Sequence, residues 1–273
     1  MPVFLLLACV GMIIPVQAAE KSVSGTSSLR GQYYEDTVPD TLDLAERGEF
    51  AIRGITNVAD PDWDYIPYFT SDFSRIPPVM YHDILSDIYG AEEKFMEALP
   101  LLRVMSGSRE NEDIERGMIE GIAKHTRNGI LWADIAGGNW HDYGWLKKIY
   151  GNVSQTIHDG RMAGAAAAWY LYTKDPMWKR MAEEKIDAWY SLVRRKGDNM
   201  MYFPGGLMGH SQYVEGKGWR SDDFDENPPN KDLMIEPSPT GVVYNGWFIM
   251  GMVQAYRVFG NEKALEMAEK LTN

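Results

Sequence analysis

The most informative hydrophobic pattern runs from Gly129 to Met181, GILWADIAGGNWHDYGWLKKIYGNVSQTIHDGRMAGAAAAWYLYTKDPMWKRM. Its first part has neither a helical nor a strand period and mixes glycines with aromatic residues around His141-Asp142, so it reads as a long loop. From near Thr156, small residues recur at Gly160, Ala163, Gly164 and Ala165 to Ala168. Glycine and alanine lack the bulk that holds backbones apart, so this pattern predicts a helix packed closely on several sides. Thr173-Lys174-Asp175 is a short polar turn, and Pro176 suits the first position of a second helix. Long loop, buried helix, tight turn, outer helix: the rest of the chain varies this unit.

In chain order, Asp40 is placed to cap a helix from Thr41 to about Asn57, with Leu42, Ala45, Ile52 and Ile55 on its apolar side. Asp60 to Pro78 is a loop dense in aromatic residues. Val79 to Met105 is predicted as an inner helix with a bend at Pro100. Gly107 ends it, and Glu110 to His125 follows as an outer helix. Tyr202 to Pro239 is a second long loop containing the acidic run Asp222 to Glu226, and Gly241 to Phe259 is the third inner helix. Apolar helix endings followed by polar turns recur near residues 107, 175 and 260, a repeat of roughly 70 to 85 residues. No alternating stretch is long enough to demand a major sheet. The fold class is therefore all-α, helical hairpins joined by long aromatic-rich loops.

Composition adjusts this picture in three places. A net charge of −12 argues against a nucleic-acid partner, which needs a basic field. Residues Val3 to Val16 are apolar and Val16-Gln17-Ala18 resembles a cleavage pattern, so 1–18 is expected to be a signal peptide, 19–39 a polar arm and 40–273 the helical domain. The expected location is secreted or periplasmic; the apolar run is too short to insert across a membrane. Cys9 is the only cysteine, so the mature chain would have no thiol nucleophile and no cysteine metal site. No cofactor or metal ion is expected.

Four segments carry a family resemblance: Asp43-Leu44-Ala45-Glu46-Arg47, Tyr65-Ile66-Pro67-Tyr68-Phe69, Pro77-Pro78-Val79-Met80 and Glu97-Ala98-Leu99-Pro100-Leu101-Leu102. With the hairpins and aromatic loops, they make residues 40 to 273 resemble the six-hairpin glycosidase superfamily, the (α/α)6 toroid. The resemblance implies a sugar-binding cleft lined by the loops that lead into the inner helices, with acidic residues doing the chemistry. The branch of that superfamily using a cysteine nucleophile and cysteine-bound zinc is excluded. Only about seven helices are visible where a closed toroid has twelve. The chain is therefore expected to be part of a ring completed by further hairpins downstream or by a second copy. The bare face on the last inner helix would carry Val243, Phe248, Met252 and Tyr256.

Three of the five histidines precede an aspartate: His82-Asp83, His141-Asp142 and His158-Asp159. Each pair can serve a cleft as acid, base or hydrogen-bonding group; each can equally cap a helix or anchor a loop. Glycosidic cleavage needs one protonated and one ionised carboxyl. Asp142 and Asp83 rank first, Asp142 because Trp140 and Tyr143 could keep it protonated, Asp83 because Asp87 shares its helix face. Asp159 and Glu236 are further candidates, with His82 and His158 beside them. Trp140, His141, Tyr143 and Trp145 form a candidate sugar platform, as do Trp219, Tyr244 and Trp247. Arg161 and Asn245 are candidate binding groups, Arg161 for a sugar carboxylate. The favoured reading is an exported glycoside hydrolase acting on carbohydrate. A polysaccharide lyase using Tyr81, His82, His158 and Asn245 is the rival enzyme reading. A non-catalytic sugar-binding or scaffold fragment is the third.

Overall fold

The computed structural model describes residues 43–68, 70–82, 92–133, 152–204, 212–219 and 239–272. Seven helices lie among them: α1 Leu44–Thr56, α2 Glu92–Ser106, α3 Glu112–His125, α4 Thr156–Thr173, α5 Pro176–Leu192, α6 Pro239–Phe259 and α7 Glu262–Lys270. Their ends follow local chemistry. Asp43, rather than Asp40, caps α1 by accepting from the Ala45 and Glu46 amides at 2.9 and 3.2 Å. Asp175 caps α5 with Pro176 in its first turn, and Asn261 caps α7. Lys174, at φ 60°, makes the left-handed step between α4 and α5. Residues 1–42, with the expected signal peptide and arm, lie outside the described part, as does the acidic run at 222–226.

The helix expected from Val79 is corrected. Val79–Tyr81 is a strand, β2, paired antiparallel with β1, Thr70–Asp72. Valine and tyrosine favour an extended chain, and the Asp72 carboxylate accepts from Ser74 and Arg75 to close the turn between the two strands. The described helix begins only at Glu92. Pro100 sits inside it without ending it. A proline leaves the carbonyl four residues earlier without its helical donor, and here Trp169 Nε1 supplies one to Met96 O at 2.8 Å. Two hairpins, β3 Thr126–Arg127 with β4 Ile130–Leu131 and β6 Arg194–Lys196 with β7 Met200–Tyr202, trim the helix ends. Within the stretch expected as pure loop, β8 Gln212–Val214 and β9 Gly218–Trp219 form a small sheet with β5 Val153–Gln155. These sheets are minor, and the described protein is mostly helical.

Helix α4 is the packing centre, touching α2, α5 and α6. Met162, Ala163, Ala165 and Ala166 have no exposed surface. Its approach to α6 is the closest: a Cβ on Gly160 would run into the Phe248 ring, and one on Gly251 into the Gly160 carbonyl. Contacts advance together along α2, α4 and α6, as in Glu93 with His158, Glu97 with Arg161, and Gly160 then Gly164 with Phe248 then Gln254. Those three helices therefore run parallel. Helix α5 returns antiparallel, since Trp178 near its start stacks on Trp169 near the end of α4, and Lys185 further on reaches Asp159 near the start.

The expected bare face of α6 is also corrected. Phe248 and Met252 are fully buried, because α6 lies against the glycines of α4; the Val243 side chain lies outside the described part. Exposed apolar positions on the helices include Leu44 and Phe50 on α1, Leu101, Val104 and Met105 on α2, Leu171 on α4 and Val253 on α6.

Candidate functional site: a polar seam between three helices

Helix α2 opens with Glu92-Glu93-Lys94, and acidic residues suit this end because they face unpaired amides and the positive end of the helix dipole. Glu93 and Glu97, one turn apart, share a face and meet α4 residue by residue. Glu93 Oε1 lies 2.8 Å from His158 Nδ1; the carboxylate is fully buried and the histidine nearly so. One turn further, Glu97 accepts from Arg161 Nε at 2.8 Å and from Gln254 Nε2 of α6 at 2.9 Å. One carboxylate thus ties three helices together. Gly164 makes room for this, since a Cβ there would collide with the Gln254 amide.

Trp247 of α6, partly buried, stands beside the seam. Its ring lies 6.3 Å from that of His158, with Lys94 Nζ 4.8 Å and Arg161 Cζ 5.6 Å from its centre. Burial pushes the Lys94 ammonium below its ordinary pKa; neighbouring Glu93 opposes this, and the charge of Arg161 adds to it.

Several buried polar atoms have no partner among the described residues: Glu93 Oε2, both amide atoms of Gln155, Thr156 Oγ1, Ser154 Oγ and Gln254 Oε1. Native interiors pair nearly all such groups. Ser154, Gln155 and Thr156 are consecutive where α4 begins, and water or a ligand can complete groups of this kind. Ala133 pairs with Val153, and Gln212 with Gln155, beside the start of α4.

The structure distributes the expected site residues unevenly. His158 and Arg161 stand in the seam, with Trp247 between them. Asp159, one residue from His158, points into the core instead. It is fully buried and accepts from Lys185 Nζ at 2.5 Å, Trp189 Nε1 at 2.8 Å and the Leu131 amide at 3.1 Å. That carboxylate anchors α5 and β4 to α4. Trp219 offers no stacking face: it is 5% exposed and packs with Trp189, Phe203 and Tyr213. Its indole donates to the Leu192 carbonyl. Asn245 lies partly exposed on α6. Asp83, Trp140, His141, Asp142, Tyr143, Trp145, Glu236 and the Tyr244 side chain lie outside the described residues.

His82 belongs to a second cluster. Its Nε2 meets Asp60 Oδ2 at 3.0 Å, its ring stacks on Tyr68 at 4.4 Å, and the Tyr68 hydroxyl donates to the same oxygen. Burial raises the Asp60 pKa, but the bonds from Tyr68 and His82 outweigh it and hold the carboxyl below its ordinary value. Tyr68 is pushed up to about 12, first by its bond to Asp60. This trio fastens the turn after α1 to the end of β2. On the outer side, Glu215 is clamped by Arg127 and Asn152, which together hold it ionised.

Sequence reasoning passed over Glu93, Lys94, Glu97 and Gln254. The signal available was the run of charge at 92–94 and 97 beside apolar Phe95 and Met96, on a helix otherwise expected to be interior. No group of three or more metal-ligating side chains occurs among the described residues, and no described helix is long and apolar enough to cross a membrane. Compared with protein-family models, curated proteins and solved structures, the chain matches none of them.

Proposed function

We propose that this chain is a carbohydrate-active enzyme that hydrolyses glycosidic bonds in the seam between α2, α4 and α6, and that its parallel inner helices and antiparallel return helices form part of an (α/α) toroid. The observation that carries the reading is the buried Glu93–His158 pair next to Trp247, with buried polar atoms nearby that have no partner among the described residues. Sugars need stacking faces and many hydrogen-bonding groups, and cleavage needs a positioned proton donor. Glu93 on Nδ1 orients the imidazole. In this reading His158 donates a proton to the departing sugar oxygen. A second group must activate water or attack carbon. Asp142 is the first candidate from the sequence, and Asp83 and Glu236 follow.

Eliminative cleavage is the second reading, favoured by the same His158 acting as base near two cations. The two differ in product: elimination leaves an unsaturated sugar that absorbs in the ultraviolet, and hydrolysis leaves new reducing ends without that absorbance. His158→Asn keeps a side chain able to bond Glu93 but cannot shuttle a proton. It should lower turnover by about 10²- to 10⁴-fold with the circular dichroism unchanged. A fully active His158→Asn variant would remove the seam from the chemistry.

A further inference from the structure

We propose that copies of this chain associate head to tail, the tip of the β1–β2 hairpin of one copy entering a cleft between β4, α5 and β8 of the next. The proposal uses none of the seam residues and does not rest on the carbohydrate reading.

Phe73 and Ile76 are the most exposed large apolar side chains among the described residues, at 80% and 99%. They stand on either side of Ser74-Arg75 at the tip of the hairpin. Asp72 fixes that tip from within. One of its carboxylate oxygens accepts from the Ser74 amide at 2.9 Å, and the other from Arg75 Nε at 2.9 Å and the Tyr81 hydroxyl at 3.3 Å. A single exposed apolar residue is commonplace. Two bulky ones at the outermost point of a turn held in shape are different: they form an anchor already ordered for insertion into a partner.

The same chain carries a matching recess. A cleft of about 280 Å³ is lined by Ile130, Trp132, Leu192, Tyr213 and Glu215, among others. A cavity of about 150 Å³ is enough for benzene, so this one takes the Phe73 ring with space beside it for Ile76. Phe73 is exposed, so it does not fill the cleft of its own chain. Charge agrees with shape. Glu215 lines the cleft and is held ionised, first by its bond from Arg127. Helix α5 ends there at Leu192, which brings the negative end of its dipole. Among the described residues Arg75 bonds through Nε alone, leaving its outer nitrogens for Glu215. A lipid surface would also cover the tip, but a net charge of −12 opposes approach to anionic membranes and would leave the cleft unused. Tip and cleft are different surfaces, so each copy offers one of each. Such a contact continues into a ring or a filament rather than stopping at a dimer.

Sedimentation equilibrium of the whole protein tests this. The average mass should rise with concentration and pass that of a dimer. The double variant Phe73→Ser, Ile76→Ser should weaken association by about tenfold or more. So should Ser191→Trp, which fills the cleft from an exposed position on α5. Mixed in equal amounts, the two variants should form a one-to-one pair and stop there, because one keeps its cleft and the other its tip. Ser191→Arg, which suits a helix, takes the place of Ser191→Trp if the tryptophan unfolds the protein. A wild type that is monomeric at every concentration, a tip variant that associates as wild type does, or a mixture that stays monomeric overturns the proposal. A monomeric wild type that binds neutral phosphatidylcholine vesicles through Phe73 also overturns it, and assigns the tip to a lipid surface.

Discussion

Asp159 and His158 are adjacent in sequence and opposite in role. A helix turns about 100° per residue, so two neighbours cannot serve the same site: His158 meets α2, and Asp159 meets α5. The Asp159 carboxylate takes three donors with no exposed surface. Lys185 is its counter-ion and is equally buried. Removing one member of such a pair strands the other charge. Lys185→Met should therefore destabilise the protein by about 3–5 kcal/mol, read as a lower urea midpoint. Adding Asp159→Asn should recover part of the loss, because the stranded charge is then gone. A single variant as stable as wild type would mean that Asp159 is not held as an ion by Lys185.

At the scale of elements, the contact between α4 and α6 depends on side chains that are missing. Gly251 lies so close to Gly160 that any Cβ would meet its backbone carbonyl, and backbone cannot step aside as a flexible side chain can. Gly54, near the end of α1, has nothing within 4 Å of where its Cβ would stand. The same substitution should then act with opposite signs. Gly54→Ala should stabilise by about 0.5–1 kcal/mol through helix propensity and a stiffer unfolded chain. Gly251→Ala should destabilise, and Ala166→Leu in the same packed helix should cost about 1–3 kcal/mol. Thermal and urea unfolding of the three variants measures this. If Gly251→Ala and Ala166→Leu are both neutral, α4 is not enclosed as described.

For the whole molecule, the question is whether its two apolar clusters unfold together. One holds Met96, Leu99, Met118, Met162, Ala165, Trp169 and Trp178; the other holds Trp189, Phe203, Trp219, Phe248, Met252 and Met267. Helix α4 belongs to both, giving Ala165 and Ala166 to the first and Ala163 to the second. Phe259 packs against each. The Glu97 bridge and the Asp159 anchor also cross between elements of the two. Residues from Asp43 onward should therefore lose secondary and tertiary structure in one step. Urea transitions followed by far-ultraviolet circular dichroism and by tryptophan fluorescence should share a midpoint. Separated midpoints would show that α4 does not couple the two halves.

The sequence alone determined what depends on neighbours along the chain. The small-residue run specified α4, Asp175-Pro176 and the polar turn near residue 260 marked the starts of α5 and α7, and the missing alternation excluded a major sheet. These are short-range effects of propensity, capping and periodicity. Other features needed distant partners. The His-Asp dipeptides suggested that each histidine works with the aspartate beside it. Folding gave His158 to Glu93, 65 residues away, His82 to Asp60, and Asp159 to Lys185. Trp219 was equally suited to a sugar platform or a core until the packing of Trp189 and Phe203 buried it. Pro100 could have broken α2, but a tryptophan from α4 satisfies the freed carbonyl. Val79–Tyr81 became a strand because β1 lies beside it. In each case the local chain permits more than one outcome, and the tertiary structure chooses by which distant group can pair the buried polar atom or cover the apolar face.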